Sequence, residues 1–336
     1  MKKKSSLAIL FVLALLVGGF FYFRYQVYFS EGSQKNIVTF AIEKGEGNEK
    51  IATKLEDKGI ISSRYYLYYY LKTKNLVNKV MPGDYLLSGK MTIPEVAHII
   101  TSPQMQVIKI TFPEGLTAKE MAELLKKNNF DGDGFLRLVN DPIEFKKKYA
   151  FLADPEITNL EGYLFPDTYF FKKDSNGRDI IARMLDNFSG RADGKLLADI
   201  KDQGKTLREI VIMASITEKE VAAAKDMETI SGIFWNRIAS DMPLQSDAPL
   251  SYILEDNDAQ HSLEQLKINS PYNTYAVKGL PPGPISNPGL AAIRSAVSPE
   301  KTDYNFFFTV GKGADRKTIY SKTFEEHTAN RAKYGV

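Results

Sequence analysis

Thr206–Val221 reads TLREIVIMASITEKEV, and the rest of the chain is most easily read outward from it. Thr206 followed by Glu209 has the form of a capping box, in which the threonine oxygen accepts from a first-turn N–H and the glutamate reaches back. Leu207, Ile210, Val211, Ile212, Met213, Ala214 and Ile216 then leave almost no polar side, and a helix apolar all round is normally buried. Glu218 and Glu220 arrive in the same helix. At roughly 100° per residue, Leu207, Val211, Ala214 and Glu218 share a stripe, but Met213, Ile216 and Glu220 align as well. A carboxyl on such a face loses hydration, which raises its pKa and allows it to donate a proton near neutral pH. The plain alternative is that the glutamates mark where the helix enters water. Ser215 and Lys219 raise the idea of a serine nucleophile with a lysine base, but their spacing is S-x-x-x-K rather than the S-x-x-K of penicillin-binding enzymes.

Composition narrows the chemistry. The chain has 336 residues, enough for two or more domains, with 43% hydrophobic and 25% charged residues, ordinary globular values. A net charge of +3, with basic and acidic residues interspersed, argues against a nucleic-acid surface. The absence of cysteine excludes disulfides, thiolate metal sites, a lipidated cysteine and cysteine catalysis. His98, His261 and His327 are the only imidazoles, and none lies at metal-ligand spacing from another. Neither a metal nor a cofactor is expected.

The amino-terminal segment reads as a membrane anchor. Lys2, Lys3 and Lys4 precede an apolar run from Leu7 to Phe23, and Arg24 follows. Those residues span about 26 Å as a helix, close to the hydrocarbon thickness. Tyr22, Tyr25, Tyr28 and Phe29 suit the far interface. A cleaved signal peptide would have a shorter core and a small-x-small site, whereas residues 20–25 are bulky throughout. The expectation is a cytoplasmic tail over 1–6, an uncleaved single-pass anchor over 7–29 and a linker over 30–36. The positive amino terminus would stay in the cytoplasm and the remainder would lie outside it.

A strand over Ile37–Ile42, a turn at Gly45 and a helix through Ile51, Ala52 and Leu55 come next. Val107–Thr111, Gly115, Met121, Ala122 and Leu125 repeat the pattern. Between them Ser62–Leu71 reads as a helix dense in tyrosine (Tyr65, Tyr66, Tyr68, Tyr69, Tyr70), a cluster that suits packing better than sugar stacking. Pro82–Tyr85 turns into a short strand and Thr92–Ile100 forms a helix. This order resembles a LysM-like peptidoglycan-binding module over 37–104, with a second strand–helix unit and connector over 105–150. Phe135–Tyr149 adds helical, lysine-rich sequence with no visible chemistry.

The remaining stretch, 151–336, carries the long loops. Glu161–Tyr169 combines Gly and Pro with aromatic and carboxyl groups, and reads as a loop suited to a carbohydrate groove. Met227, Ile230, Ile233, Phe234 and Ile238 mark a helix ending near Asp241. Leu244–Asp247, Ser270–Tyr275 and Lys278–Gly289 are proline-stiffened loops bearing amides, carboxylates and tyrosines, where binding groups tend to sit. Leu290–Val297 follows as a helix. Asn305–Val310 and Lys317–Tyr320 form a hairpin about Gly311-Lys312-Gly313, and Thr323 with Glu326 caps a last helix.

Five ordered segments carry a specific resemblance: LEGYLFPDTY (Leu160–Tyr169), ASITEKEV (Ala214–Val221), LQSD (Leu244–Asp247), PYNTY (Pro271–Tyr275) and GLPPGPISNPG (Gly279–Gly289). Together with the anchor they resemble the endolytic murein transglycosylases, the MltG or YceG-like family. The sequence departs from the family's pattern at Thr217 and Val221 around the glutamate motif, and Ala248-Pro249 inverts a frequent D-P-T.

The resemblance implies an α+β fold, with an amino-terminal transmembrane helix, a small LysM-like module and a catalytic domain rich in Pro/Gly loops. It assigns the catalytic glutamate to the first one of the S-I-x-E-K-E motif, Glu218, acting as acid and then base to leave 1,6-anhydro-N-acetylmuramic ends. Glu161, Tyr163, Gln245, Asp247, Tyr272, Asn273 and Tyr275 are the expected glycan contacts. Peptidoglycan strands, the cytoplasmic membrane and peptidoglycan synthases are the implied partners, with the catalytic part extracytoplasmic. A non-catalytic wall-binding scaffold and a hydrolytic muramidase are the competing readings. A cytosolic pyridoxal-phosphate lyase conflicts with an anchor that exports the body.

Overall fold

A computed structural model describes residues 2–221, 223–256, 261–311 and 317–335, with side chains from residue 10 onward. The architecture is mixed α+β and falls into two compact units: one takes the chain to Ile110 and adds Phe170–Asp174, the other comprises Thr111–Tyr169 and the chain from Ser175.

The first unit begins with α1 (Lys2–Tyr28), a single helix of 27 residues. Within it Leu10–Tyr28 is apolar and long enough to cross a membrane. The unit continues with β1 (Val38–Ile42), α2 (Asn48–Asp57), α3 (Arg64–Thr73), β2 (Gly83–Leu87), α4 (Ile93–Ile100) and β3 (Gln106–Thr111). Strand β1 pairs antiparallel with β2, setting Phe40 opposite Tyr85, so β1–α2–α3–β2 closes as one unit. Alternation decides which face is buried: Phe40, Ile42, Tyr85 and Leu87 point inward against Ile51, Leu55, Leu67, Leu71 and Val96. The turn into α2 is taken at Gly45 with φ +83°, left-handed backbone that glycine adopts without strain.

Leu67 and Leu71 are the face of α3 that enters this core. Tyr66 and Tyr70 pack at its edge, as expected, whereas Tyr65, Tyr68 and Tyr69 are exposed. The end of α1 lies against α3: the Phe23 ring meets Tyr69 edge-on at 4.7 Å and Tyr66 at 5.3 Å. Val27 is fully buried.

The second unit contains α5 (Ala118–Lys127), α6 (Gly132–Asn140), α7 (Ile143–Lys146), β4 (Thr168–Lys172), α8 (Gly177–Arg191), α9 (Gly194–Asp202) and α10 (Leu207–Glu220). They are followed by α11 (Ala224–Ala239), α12 (Ala248–Leu254), α13 (Leu290–Val297), the hairpin β5 (Phe306–Val310) with β6 (Lys317–Ser321), and α14 (Phe324–Tyr334). Strand β4 gives its later residues to the first unit, completing a four-stranded sheet in the order β1-β2-β3-β4. Thr168 and Tyr169, read from sequence as loop, are therefore strand. The helical sequence over Phe135–Tyr149 is divided between α6 and α7, because Pro142 cannot supply the N–H that would carry α6 onward. Helices α8, α9 and α12 are additional to those expected from the sequence. The hairpin is present, but Lys312 and Gly313 of its expected turn lie outside the described residues.

Helix α10 is the centre of this unit. The capping box is formed: the Thr206 N–H donates to Glu209 Oε2 at 2.7 Å, and the Glu209 N–H donates to Thr206 Oγ1 at 3.2 Å. Every residue from Ile210 to Thr217 is buried, against α11 and α13. Each such aliphatic side chain contributes roughly 1.5–3 kcal/mol by leaving water. Truncating one, for example Ile216→Ala, would cost about 2–5 kcal/mol. The hydroxyls buried with them are satisfied. Thr217 Oγ1 donates to Met213 O and lies 3.2 Å from Ser231 Oγ, itself 3.2 Å from Ser295 Oγ.

Candidate active site

At the end of α10 the helix leaves the core, and Glu218 is half-buried there. Its Oε2 accepts from the Gly289 N–H at 2.9 Å. Gly289 is the residue on which α13 starts, where unpaired N–H groups and the helix dipole attract a carboxylate. Two other groups crowd the same spot. A Cβ built on Gly115 would meet Glu218 Cγ at 3.3 Å, and one built on Gly289 would fall 1.9 Å from Glu114 Oε1. Burial pushes the Glu218 carboxyl above the usual carboxylate range; the Gly289 N–H draws it down, the Glu114 charge raises it and Lys219 lowers it. Burial wins, so this acid holds its proton to higher pH than an exposed glutamate.

The loops around Glu218 are fastened by Asn287, whose side chain is fully buried. Its Oδ1 accepts from the N–H groups of Gly162 and Leu164, at 2.9 and 3.0 Å. Its Nδ2 donates to Glu161 Oε1 at 2.7 Å and to Leu116 O at 3.0 Å. Its backbone N–H donates to Leu116 O and its carbonyl accepts from the Gly115 N–H. One amide thus joins three segments distant in sequence. Glu161 also accepts from the Ala118 N–H at 3.0 Å, at the head of α5; burial pushes its carboxyl up to about 8, against the pull of those donors.

Glu220 belongs to a neighbouring cluster. It accepts from Ser246 Oγ at 2.5 Å, and the Ser246 N–H donates to Thr274 Oγ1. Tyr275 Oη donates to Asp247 Oδ1 at 2.8 Å. Gln245 is exposed at φ +51°, its backbone N–H held by Thr274 O.

Of the expected glycan contacts, Gln245, Asp247, Tyr272 and Tyr275 retain exposed surface. Glu161, Tyr163 and Asn273 are buried. Asn273 Nδ2 is occupied by the carbonyls of Leu266 and Ile268. Tyr163 keeps an unpaired buried hydroxyl. The Ser215–Lys219 idea fails on geometry: Ser215 is fully buried and its hydroxyl donates to Ile212 O and accepts from the Ile285 N–H. Two clefts open in this unit. One of about 950 Å³ is lined by Thr117, Glu161, Lys219, Tyr252 and Ile285. Another of about 790 Å³ is lined by Tyr163, Trp235, Tyr272 and the Leu280–Pro284 segment, and Asn159 borders both. Glu114 was not anticipated; the one visible signal was its place beside Gly115 in the turn before α5.

The sequence matches the model of the YceG-like family over residues 40–333, a span holding every site residue named above. The chain belongs to the YceG-like family. Among YceG-like relatives, it is 29% identical to the endolytic murein transglycosylase of Bacillus subtilis, over 95% of this chain and 91% of that protein. It is 30% identical to the endolytic murein transglycosylase of Streptococcus pneumoniae, over 99% of this chain. The chain spans 65% of that streptococcal protein's length. The crystal structure of a YceG-like protein of Listeria monocytogenes superposes with a TM-score of 0.60 at 31% identity, covering 88% of this chain and 99% of that one.

Proposed function

We propose that this YceG-like chain is a membrane-anchored endolytic lytic transglycosylase of peptidoglycan, with Glu218 as acid and then base. The observation that carries the reading is the Glu218 carboxyl, half-buried and gripped by the Gly289 N–H at the meeting of the family's loops. Glu218 protonates the glycosidic oxygen between N-acetylmuramic acid and N-acetylglucosamine. The carboxylate then takes the proton of the muramic C6 hydroxyl as that oxygen attacks C1 of its own sugar. The bond to the leaving sugar breaks, a 1,6-anhydro ring closes, and no water is consumed. General acid–base assistance of this kind is worth about 10²–10⁴-fold.

Gln245, Asp247, Tyr272 and Tyr275 would hold the glycan directly. Glu161 and Asn273 would act through the loops they fasten, and Tyr163 through the wall of the cleft. The β1–α2–α3–β2 unit supports a LysM-like role in holding glycan. The apolar Leu10–Tyr28 helix supports a single-pass anchor in the cytoplasmic membrane, amino terminus inside, beside the synthases that make new strands.

Glu114 favours a second reading. A hydrolytic muramidase needs two carboxyl groups, and Glu114 lies at Gly289 alongside Glu218. Mass analysis of glycan digests separates the two: anhydro ends support the transglycosylase, while reducing ends would assign hydrolysis.

A further inference from the structure

We propose that α3 of the first unit lies on the bilayer surface and contacts lipid headgroups through its tyrosines. The proposal rests on the anchor reading of α1. If residues 7–23 fill the hydrocarbon layer, Phe23 sits at its edge, since the run is only about 26 Å long. The rings of Tyr69 and Tyr66 touch Phe23, at 4.7 and 5.3 Å, and two contacting rings cannot differ much in depth. Helix α3 is therefore held at the level of the headgroups.

The face it leaves open suits that place. Tyr65, Tyr68 and Tyr69 are 69%, 47% and 45% exposed and, with exposed Lys72, follow an i, i+3, i+4, i+7 stripe. The opposite face, Leu67 and Leu71, is spent on the core. Tyrosine prefers the membrane–water boundary, where ring and hydroxyl are both accommodated, and lysine is drawn to anionic headgroups. Tyr22, Tyr25 and Phe29 near the end of the anchor are likewise exposed, aromatic rings suited to the same boundary.

The cysteine-free chain allows a direct test. In the full chain, reconstituted in bilayers containing anionic lipid, Tyr65→Cys and Tyr68→Cys each receive a nitroxide; exposed positions tolerate this without loss of core. Leu15→Cys, exposed at the middle of the span, provides the deep reference. Labels at 65 and 68 are expected to lose most of their collisions with a water-soluble nickel complex when the chain passes from micelles without anionic headgroups into these bilayers, while remaining shallower than the label at 15. Full nickel access at 65 and 68 with a shielded label at 15 overturns the proposal and leaves the anchor standing. Nickel access at 15 overturns both.

Discussion

Asn287 Nδ2 donates to Glu161 Oε1 at 2.7 Å across 126 positions of sequence, inside the wall that carries Glu218. The same amide oxygen satisfies two backbone N–H groups of the 161–164 segment. Asn287→Ala strands those donors in the interior, where each unmet hydrogen bond costs about 1–3 kcal/mol. A loss on the order of 3 kcal/mol in urea unfolding is expected, and an unchanged midpoint would deny Asn287 this role.

Glu161 makes stability depend on pH in a defined direction. Its folded value, about 8, lies above the unfolded carboxyl value of 4.5, so the folded state binds the proton more tightly. That contribution is complete below the unfolded value and is lost as pH rises through the folded one. Unfolding free energy should therefore fall between pH 4.5 and about pH 8, and Glu161→Gln should flatten the decline. A wild-type profile that rises over this window would contradict the assignment.

Glu114 should contribute, after burial, to the alkaline limb of activity. Its charge raises the Glu218 carboxyl, so Glu114→Gln is expected to move the loss of the acid form to lower pH. Gly289→Ala should do the same by displacing the Glu114 carboxylate, whose oxygen would lie 1.9 Å from the new Cβ. The Gly289 backbone has φ −76°, so alanine is not strained there. Matching shifts in the two pH–rate profiles support the role; none in either removes it.

Gly162 is a position where no side chain fits. Its φ is +87°, and a Cβ would meet Pro284 at 2.6 Å and Val211 at 2.7 Å. Left-handed backbone in a non-glycine residue costs about 1–3 kcal/mol before any clash. Gly162→Ala should lower the melting temperature and open the loop contact at Pro284; a variant as stable as wild type would show that the loop packs otherwise.

Much of this was legible in the chain. The capping box at Thr206 and Glu209, the Leu290–Val297 helix and the paired Gly45 and Gly115 turns follow local rules, and local rules are visible in a single sequence. Glu114 was not, because its relation to Glu218 depends on a loop contact across 104 positions rather than on any spacing. Nor was the burial of Glu161 and Asn273: polar residues in Pro/Gly-rich loops look like ligand contacts until their backbone partners are known. Pro142, by contrast, is in plain view, and it divides the helical Phe135–Tyr149 stretch between α6 and α7.

The central claim is tested most directly at position 218. Glu218→Gln keeps the shape and removes the transferable proton. With the full chain and purified peptidoglycan, release of 1,6-anhydro-ended fragments should fall at least about 10²-fold, with unfolding unchanged. Anhydro-ended fragments released by the folded variant at the wild-type rate would contradict the account.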